Sequence, residues 1–140
     1  MIGIIVSGHG NFADGITSAL ELIIGKQENY VAVNFPFGDT ATELEANIDL
    51  ALASLNKCEN ILIFTDLLGG SPFNISIMRA MKCLNIKVMY GTNLGMLIES
   101  AMSRNMNVPF ESIVSSAIDI GKKQVGIFDA AVIDNEEDNF

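Results

Sequence analysis

Short, almost unbroken apolar runs recur along this chain, separated by helical patterns, and that alternation constrains the fold more than any single residue. Ile2–Val6 is rich in β-branched residues and continuously apolar, as expected of a strand covered on both faces. Phe12, Ile16, Ala19, Leu20, Ile23 and Ile24 then recur at helical spacing, and Gly25 follows as a stop. Tyr30–Phe35 reads as a second strand closed by Pro36 and Gly38. Next comes a helix with Asp39 or Thr40 as its cap and Leu44, Ile48, Ala51, Leu52 and Leu55 as its apolar stripe. Ile61–Thr65 is a third strand. Ser71-Pro72 then opens a helix expected to turn Phe73, Ile77, Met81 and Leu84 inward. Ile86–Tyr90 is the fourth strand. Leu94, Leu97, Ile98, Ala101 and Met102 mark another helix, and a last one runs from about Pro109 to Gly121 with Phe110, Ile113, Val114, Ala117 and Ile118 inward. Val125–Ile133 closes the chain as an expected edge strand.

Strands alternating with helices across short connections imply an α/β fold: one doubly wound, mostly parallel sheet with helices on both faces. The expected strand order, drawn from common doubly wound topologies, is 2-1-3-4. A chain of 140 residues is long enough for one domain with a single core. That domain is expected over residues 1–133, with 134–140 as a solvated acidic tail.

Charge and leader signals exclude several classes of function. The net charge is −9, and Asp134, Glu136, Glu137 and Asp138 of the tail account for part of it, leaving −5 on the body. With no basic patch to release counterions, nucleic acid is not an expected partner. No basic residue precedes the first apolar run, so it is not a signal peptide. No stretch of about 18 uncharged apolar residues appears, so no membrane span is expected and the chain reads as cytoplasmic. Cys58 and Cys83 lack CxxC spacing, and no second histidine exists to complete a metal site, so no metal is expected. Both cysteines are expected to be reduced and buried.

In open parallel sheets, ligands bind beyond the carboxyl ends of the strands, where the strand order reverses. His9, the only histidine, lies there between Gly8 and Gly10 at the end of the first apolar run. An imidazole can act as a nucleophile near neutral pH, and glycine neighbours leave it open to close approach. A histidine at a strand end can equally cap a backbone group. With order 2-1-3-4, Asp66 after the third strand would meet His9. Its carboxylate can hold one ring nitrogen and leave the other lone pair facing outward; it can also simply cap the turn at 67–70.

Gly69-Gly70 allows a tight turn, with Ser71 as the expected cap and Pro72 at the first helical position. The same helix start offers free N–H groups to an anion, although it lacks the lysine and spacing of a P-loop. Asn11, Thr92 and Asn93 are candidate polar lining or plain turn residues. Histidine phosphatases need an arginine beside the nucleophile and a second histidine, and a hydrolase built on Ser71 would need a separate base. A nucleophilic histidine, an orienting carboxylate and a helix N-terminus together describe a phosphoryl acceptor.

Gly8-His9-Gly10 after a short N-terminal strand, with Thr65-Asp66 leading into Gly69-Gly70-Ser71-Pro72-Phe73-Asn74, closely resembles the IIA component of mannose-family sugar phosphotransferase systems. The similarity covers roughly residues 1–130. It implies that His9 takes a phosphoryl group from the phosphocarrier HPr and passes it to a IIB component, which phosphorylates sugar moved by membrane IIC and IID proteins. It further implies that Asp66 is the hydrogen-bonding partner of His9, that Gly70 and Ser71 form the phosphate-binding turn, and that no cofactor is held. Family members form homodimers that exchange the C-terminal strand, here about Val125–Ile133. Leu67-Leu68 stands where some members have a bulky aromatic residue. The chain ends soon after its last strand, so IIB is expected on another chain. Two alternatives stay open from the sequence: a DhaM-like phosphoryl donor to a dihydroxyacetone kinase, and a regulatory binding module that relays no phosphate to sugar.

Overall fold

A computed structural model describes residues 1–131. It contains four strands and five helices in the order β1 (Ile2–His9), α1 (Phe12–Ile24), β2 (Tyr30–Phe35), α2 (Ala41–Ser54), β3 (Asn60–Thr65), α3 (Ser71–Ala80), β4 (Ile86–Met89), α4 (Leu94–Asn105) and α5 (Phe110–Lys123). The strands form one parallel sheet, as the alternation predicts, in the order β2-β1-β3-β4 expected from common doubly wound topologies.

Each central strand is apolar on both sides because both faces of the sheet are covered. Ile4 and Val6 of β1, with Leu62 and Phe64 of β3, pack against Ala13 and Leu20 of α1, Leu97 of α4 and Ile113 of α5. Ile5 and Ile63 point the other way, onto Leu44, Ile48 and Ala51 of α2 and Ile75 of α3. Side chains alternate along a strand, so His9 lies on the same side of β1 as Ile5 and Ser7, toward α2 and α3. The start of β1 is held from the other end of the sheet: the buried Arg104 guanidinium of α4 donates to the carbonyls of Ile2, Glu28 and Asn29.

Four expectations are corrected. Ile118 of α5, expected inward, is exposed, while Ile113, Ala117 and Gly121 are buried. Helix α3 buries Pro72, Ile75 and Ser76, whereas Met81 and Leu84 lie beyond its end and are exposed. The 73/77/81/84 spacing is real, but the inward stripe is rotated by one residue. Ser76 makes that close packing possible, because its hydroxyl is satisfied by the Pro72 carbonyl at 2.6 Å. Cys83 sits in the turn after α3 and is exposed, while Cys58 is buried. Finally, residues 125–129 form no ladder within this chain, residues 130–131 are helical rather than extended, and Val125, Ile127 and Phe128 are exposed. Residues 132–133 of that expected strand, and the acidic tail, lie outside the described residues.

Candidate phosphoryl site

The site is built at the carboxyl ends of β1 and β3, which are neighbours in the sheet because the order reverses around β1. His9 ends β1 and Asp66 follows β3. One carboxylate oxygen, Asp66 Oδ2, accepts the His9 backbone N–H at 2.9 Å and lies 2.8 Å from ring Nδ1. The other, Oδ1, accepts the Leu67 N–H at 2.8 Å. The two roles left open for Asp66, turn cap and histidine partner, are thus filled by one group. Burial pushes its carboxyl pKa upward, but the His9 N–H and ring and the Leu67 N–H outweigh that and hold it below the ordinary carboxylate value. An ionised carboxylate only accepts hydrogen bonds, so in the neutral ring the proton sits on Nδ1 and the Nε2 lone pair faces away from Asp66.

The glycines around the ring serve different ends. A Cβ on Gly8 would lie 2.5 Å from the Phe12 ring, so Gly8 makes room for core packing rather than for an approaching molecule. Gly10 has φ +58° with open space around it, and this left-handed turn carries the chain from β1 into α1. Gly70 is the glycine that meets the ring: a Cβ there would stand 2.6 Å from His9 Cε1 and 3.3 Å from Nε2. On another side, Phe35 of β2 faces the imidazole with ring centroids 6.0 Å apart.

Gly70, not Ser71, is the N-cap of α3, and no side chain caps this helix. Ser71 and Pro72 take the first two helical positions. The first intrahelical bond at this end runs from the Asn74 N–H to the Gly70 carbonyl at 2.8 Å. The N–H groups of Ser71 and Phe73 precede it and face outward from the helix end, and Pro72 has none. The structure therefore brings His9, Asp66 and Gly70 into contact and places Ser71 next in line.

Thr92 and Asn93 belong to turns: the Thr92 hydroxyl donates to the Thr65 carbonyl at 2.7 Å, and Asn93 Oδ1 caps α4 by accepting the Met96 N–H at 3.1 Å. Asn11 is the N-cap of α1 without a side-chain bond. Sequence reasoning assigned no role to Asn74, whose Nδ2 donates to the Gly69 carbonyl at 3.0 Å. Its place four residues after Gly70 is the signal that could have found it, since a short amide there reaches back over one helical turn.

His9 is on open ground, with 45% of its side chain exposed. Phe37, two residues beyond Phe35, and Leu67 and Leu68, directly after Asp66, are exposed as well. A cleft of about 440 Å³ lies elsewhere, along β4 and α5, lined by Val88, Tyr90, Asn93, Ile118, Lys122 and Val125. Among the described residues no three His, Cys, Asp or Glu side chains gather where they could hold a metal ion. Nor is any helix there long and apolar enough to cross a membrane.

Residues 3–118 match the EIIA-man family, described as the PTS system fructose IIA component. The chain is 31% identical over 124 residues to the mannose-specific EIIAB component of Escherichia coli, covering 89% of this chain and 38% of that protein, so it spans under half of that relative. It is 29% identical over 138 residues to the sorbose-specific EIIA component of Lacticaseibacillus casei, covering 98% of this chain and 99% of that one. Among solved structures, the phosphotransferase system component EIIA of Streptococcus agalactiae superposes with a TM-score of 0.83 at 38% identity, over 91% of this chain and 98% of that one. The matched span takes in the strand that ends at His9, the Asp66 turn and the helix start beside the ring, and the chain accordingly belongs to the mannose-type EIIA family of the phosphotransferase system.

Proposed function

We propose that this protein is a phosphoryl carrier of a sugar phosphotransferase system, in which His9 Nε2 accepts phosphate from phospho-HPr and donates it to a IIB component. The observation that carries this reading is the hold of Asp66 on Nδ1, which leaves the Nε2 lone pair beside the start of α3. In the transfer, a bond forms between Nε2 and phosphorus while the N–P bond of the donor phosphohistidine breaks, its electron pair returning to the donor ring. The His9 ring gains positive charge and keeps its Nδ1 proton, and the Asp66 carboxylate stabilises that charge. The phosphoryl oxygens are received by the first N–H groups of α3 and the Ser71 hydroxyl, with Gly70 giving the clearance. No proton has to leave the site, so positioning and electrostatics do the catalytic work.

An open site, with Phe37, Leu67 and Leu68 exposed on the turns that follow β2 and β3, suits protein partners rather than an enclosed small molecule. Phospho-HPr brings its phosphorus to Nε2, and the IIB nucleophile then attacks the phosphorus held there as the N–P bond to His9 breaks, so the two partners dock over the same open site in turn. The membrane IIC and IID proteins are reached only through IIB, and the carrier works in the cytoplasm. The working form is a homodimer in which the exposed segment from Val125 to about Asp129 of each chain adds to the partner's β4. The open edge of β4 and the exposed Val125, Ile127 and Phe128 support this.

Incubation with phosphoenolpyruvate, enzyme I and HPr tests the reading. One acid-labile phosphoryl group per chain is expected, and none on the His9→Ala variant. Full labelling of that variant would overturn the assignment.

A further inference from the structure

We propose that Asn74 is a positioning residue for phosphoryl transfer, a latch that fixes the Gly69–Gly70 turn while leaving the helix N–H groups free for the phosphate. The inference rests on the carrier reading of His9. Asn74 holds both successive carbonyls of the turn: Nδ2 donates to Gly69 O at 3.0 Å and its backbone N–H donates to Gly70 O at 2.8 Å.

The two helices that do carry side-chain caps show why this arrangement is unusual. In α2 the Thr40 hydroxyl accepts the Glu43 N–H, and in α4 Asn93 Oδ1 accepts the Met96 N–H. Each of those caps consumes an N–H at the helix start. At α3 the polarity is reversed, because a side-chain donor acts on carbonyls behind the helix start. The start is secured and no N–H is spent.

Such a latch is needed here more than elsewhere. The peptide joining Gly69 to Gly70 has glycine on both sides, Gly69 has φ +83°, and neither residue has a side chain to oppose rotation. Gly70 lies against the edge of the ring that carries Nε2. Rotation of that peptide would bring the negative end of the Gly69 carbonyl toward the incoming phosphoryl oxygens. It would also displace the N–H groups meant to receive them. Asn74 is itself exposed and lies outside the apolar core, so its contribution is to the geometry of the turn more than to the fold.

The test compares full-length wild type with Asn74→Ala, Asn74→Asp and Asn74→Gln, using rapid-quench transfer from ³²P-labelled phospho-HPr. An alanine removes the donor, an aspartate opposes the Gly69 carbonyl, and glutamine keeps an amide. Loss of one hydrogen bond predicts a kcat lower by roughly three- to tenfold in Asn74→Ala. The loss is expected to be larger in Asn74→Asp and smaller in Asn74→Gln. In all three, KM for phospho-HPr stays within about twofold, since the docking surface is untouched. The ³¹P chemical shift of phospho-His9 should move in the same order. An unchanged kcat in Asn74→Ala, or a loss carried by KM alone, would overturn the latch with the carrier reading intact. A wild type that accepts no phosphate would overturn both.

Discussion

A single oxygen, Asp66 Oδ2, takes both the backbone N–H and the ring Nδ1–H of His9, at 2.9 and 2.8 Å. The backbone bond fixes where β1 ends relative to β3, and the ring bond fixes the tautomer. Position and tautomer of the imidazole are therefore set by the same group.

Replacing Asp66 by Asn should separate these effects from folding. An amide at this position can donate as well as accept, so the ring is no longer forced to keep its proton on Nδ1. Phosphoryl transfer is expected to slow by as much as about 10⁴-fold, the loss seen when the orienting carboxylate of a Ser-His-Asp triad becomes an amide. The far-ultraviolet circular dichroism should stay that of the wild type. Unchanged transfer would remove the role assigned to Asp66.

Gly70 and Gly10 offer a paired test of collision against strain. Gly70→Ala would put a Cβ 2.6 Å from His9 Cε1, so the ring or the turn must move. A stability loss of about 1–3 kcal/mol and a transfer rate at least tenfold lower are expected. Gly10→Ala meets nothing within 4 Å but forces alanine into φ +58°. That should cost about 1–2 kcal/mol with less damage to transfer. Denaturant unfolding and rapid-quench rates on both variants check the contrast.

Most of this architecture is legible in the sequence because the apolar runs and their helical intervals are strong signals. Tyr30–Phe35 falls where its β-rich run stands, and the pairing of His9 with Asp66 follows once β1 and β3 are neighbours. What escapes is decided by rotation and local polarity. The inward face of α3 is set by the angle at which Gly70 launches the helix, which no periodicity records. The need for Gly8 comes from Phe12, a contact made only when α1 folds back on β1. The donor role of Asn74 is hidden because asparagine near a helix start ordinarily signals an acceptor cap. The expected strand at Val125–Ile133 is apolar enough to pair, but within a single chain its described part finds no partner.

Stability should fall on the acid side in a way traceable to two carboxylates. Asp66 is held low as described, and Asp49 is lowered chiefly by its hydrogen bonds from Arg79. A carboxyl whose folded pKa lies below its unfolded value of about 3.9 contributes stability that is fully present above that value. The contribution is lost as pH falls through the folded pKa. Denaturant unfolding between pH 7 and pH 2.5 should therefore show wild-type stability dropping below about pH 4. The drop should be shallower in the Asp49→Asn, Asp66→Asn double variant. Equal slopes would contradict the assignment.

The proposed exchanged dimer makes its own prediction. Val125, Ile127 and Phe128 are 80%, 94% and 75% exposed in the single chain, and β4 has an open edge. Sedimentation at micromolar concentration should give a dimer, and Ile127→Asp should shift it toward monomer. A wild-type monomer at that concentration would overturn the exchange.

The most direct test of the central claim is the position of the phosphate on the ring. With ¹⁵N-labelled His9, phosphorylated by phosphoenolpyruvate, enzyme I and HPr, nitrogen and phosphorus NMR should show one phosphoryl group on Nε2 and a retained proton on Nδ1 facing Asp66. A phosphoryl group on Nδ1, or an unphosphorylated ring under those conditions, would contradict the account.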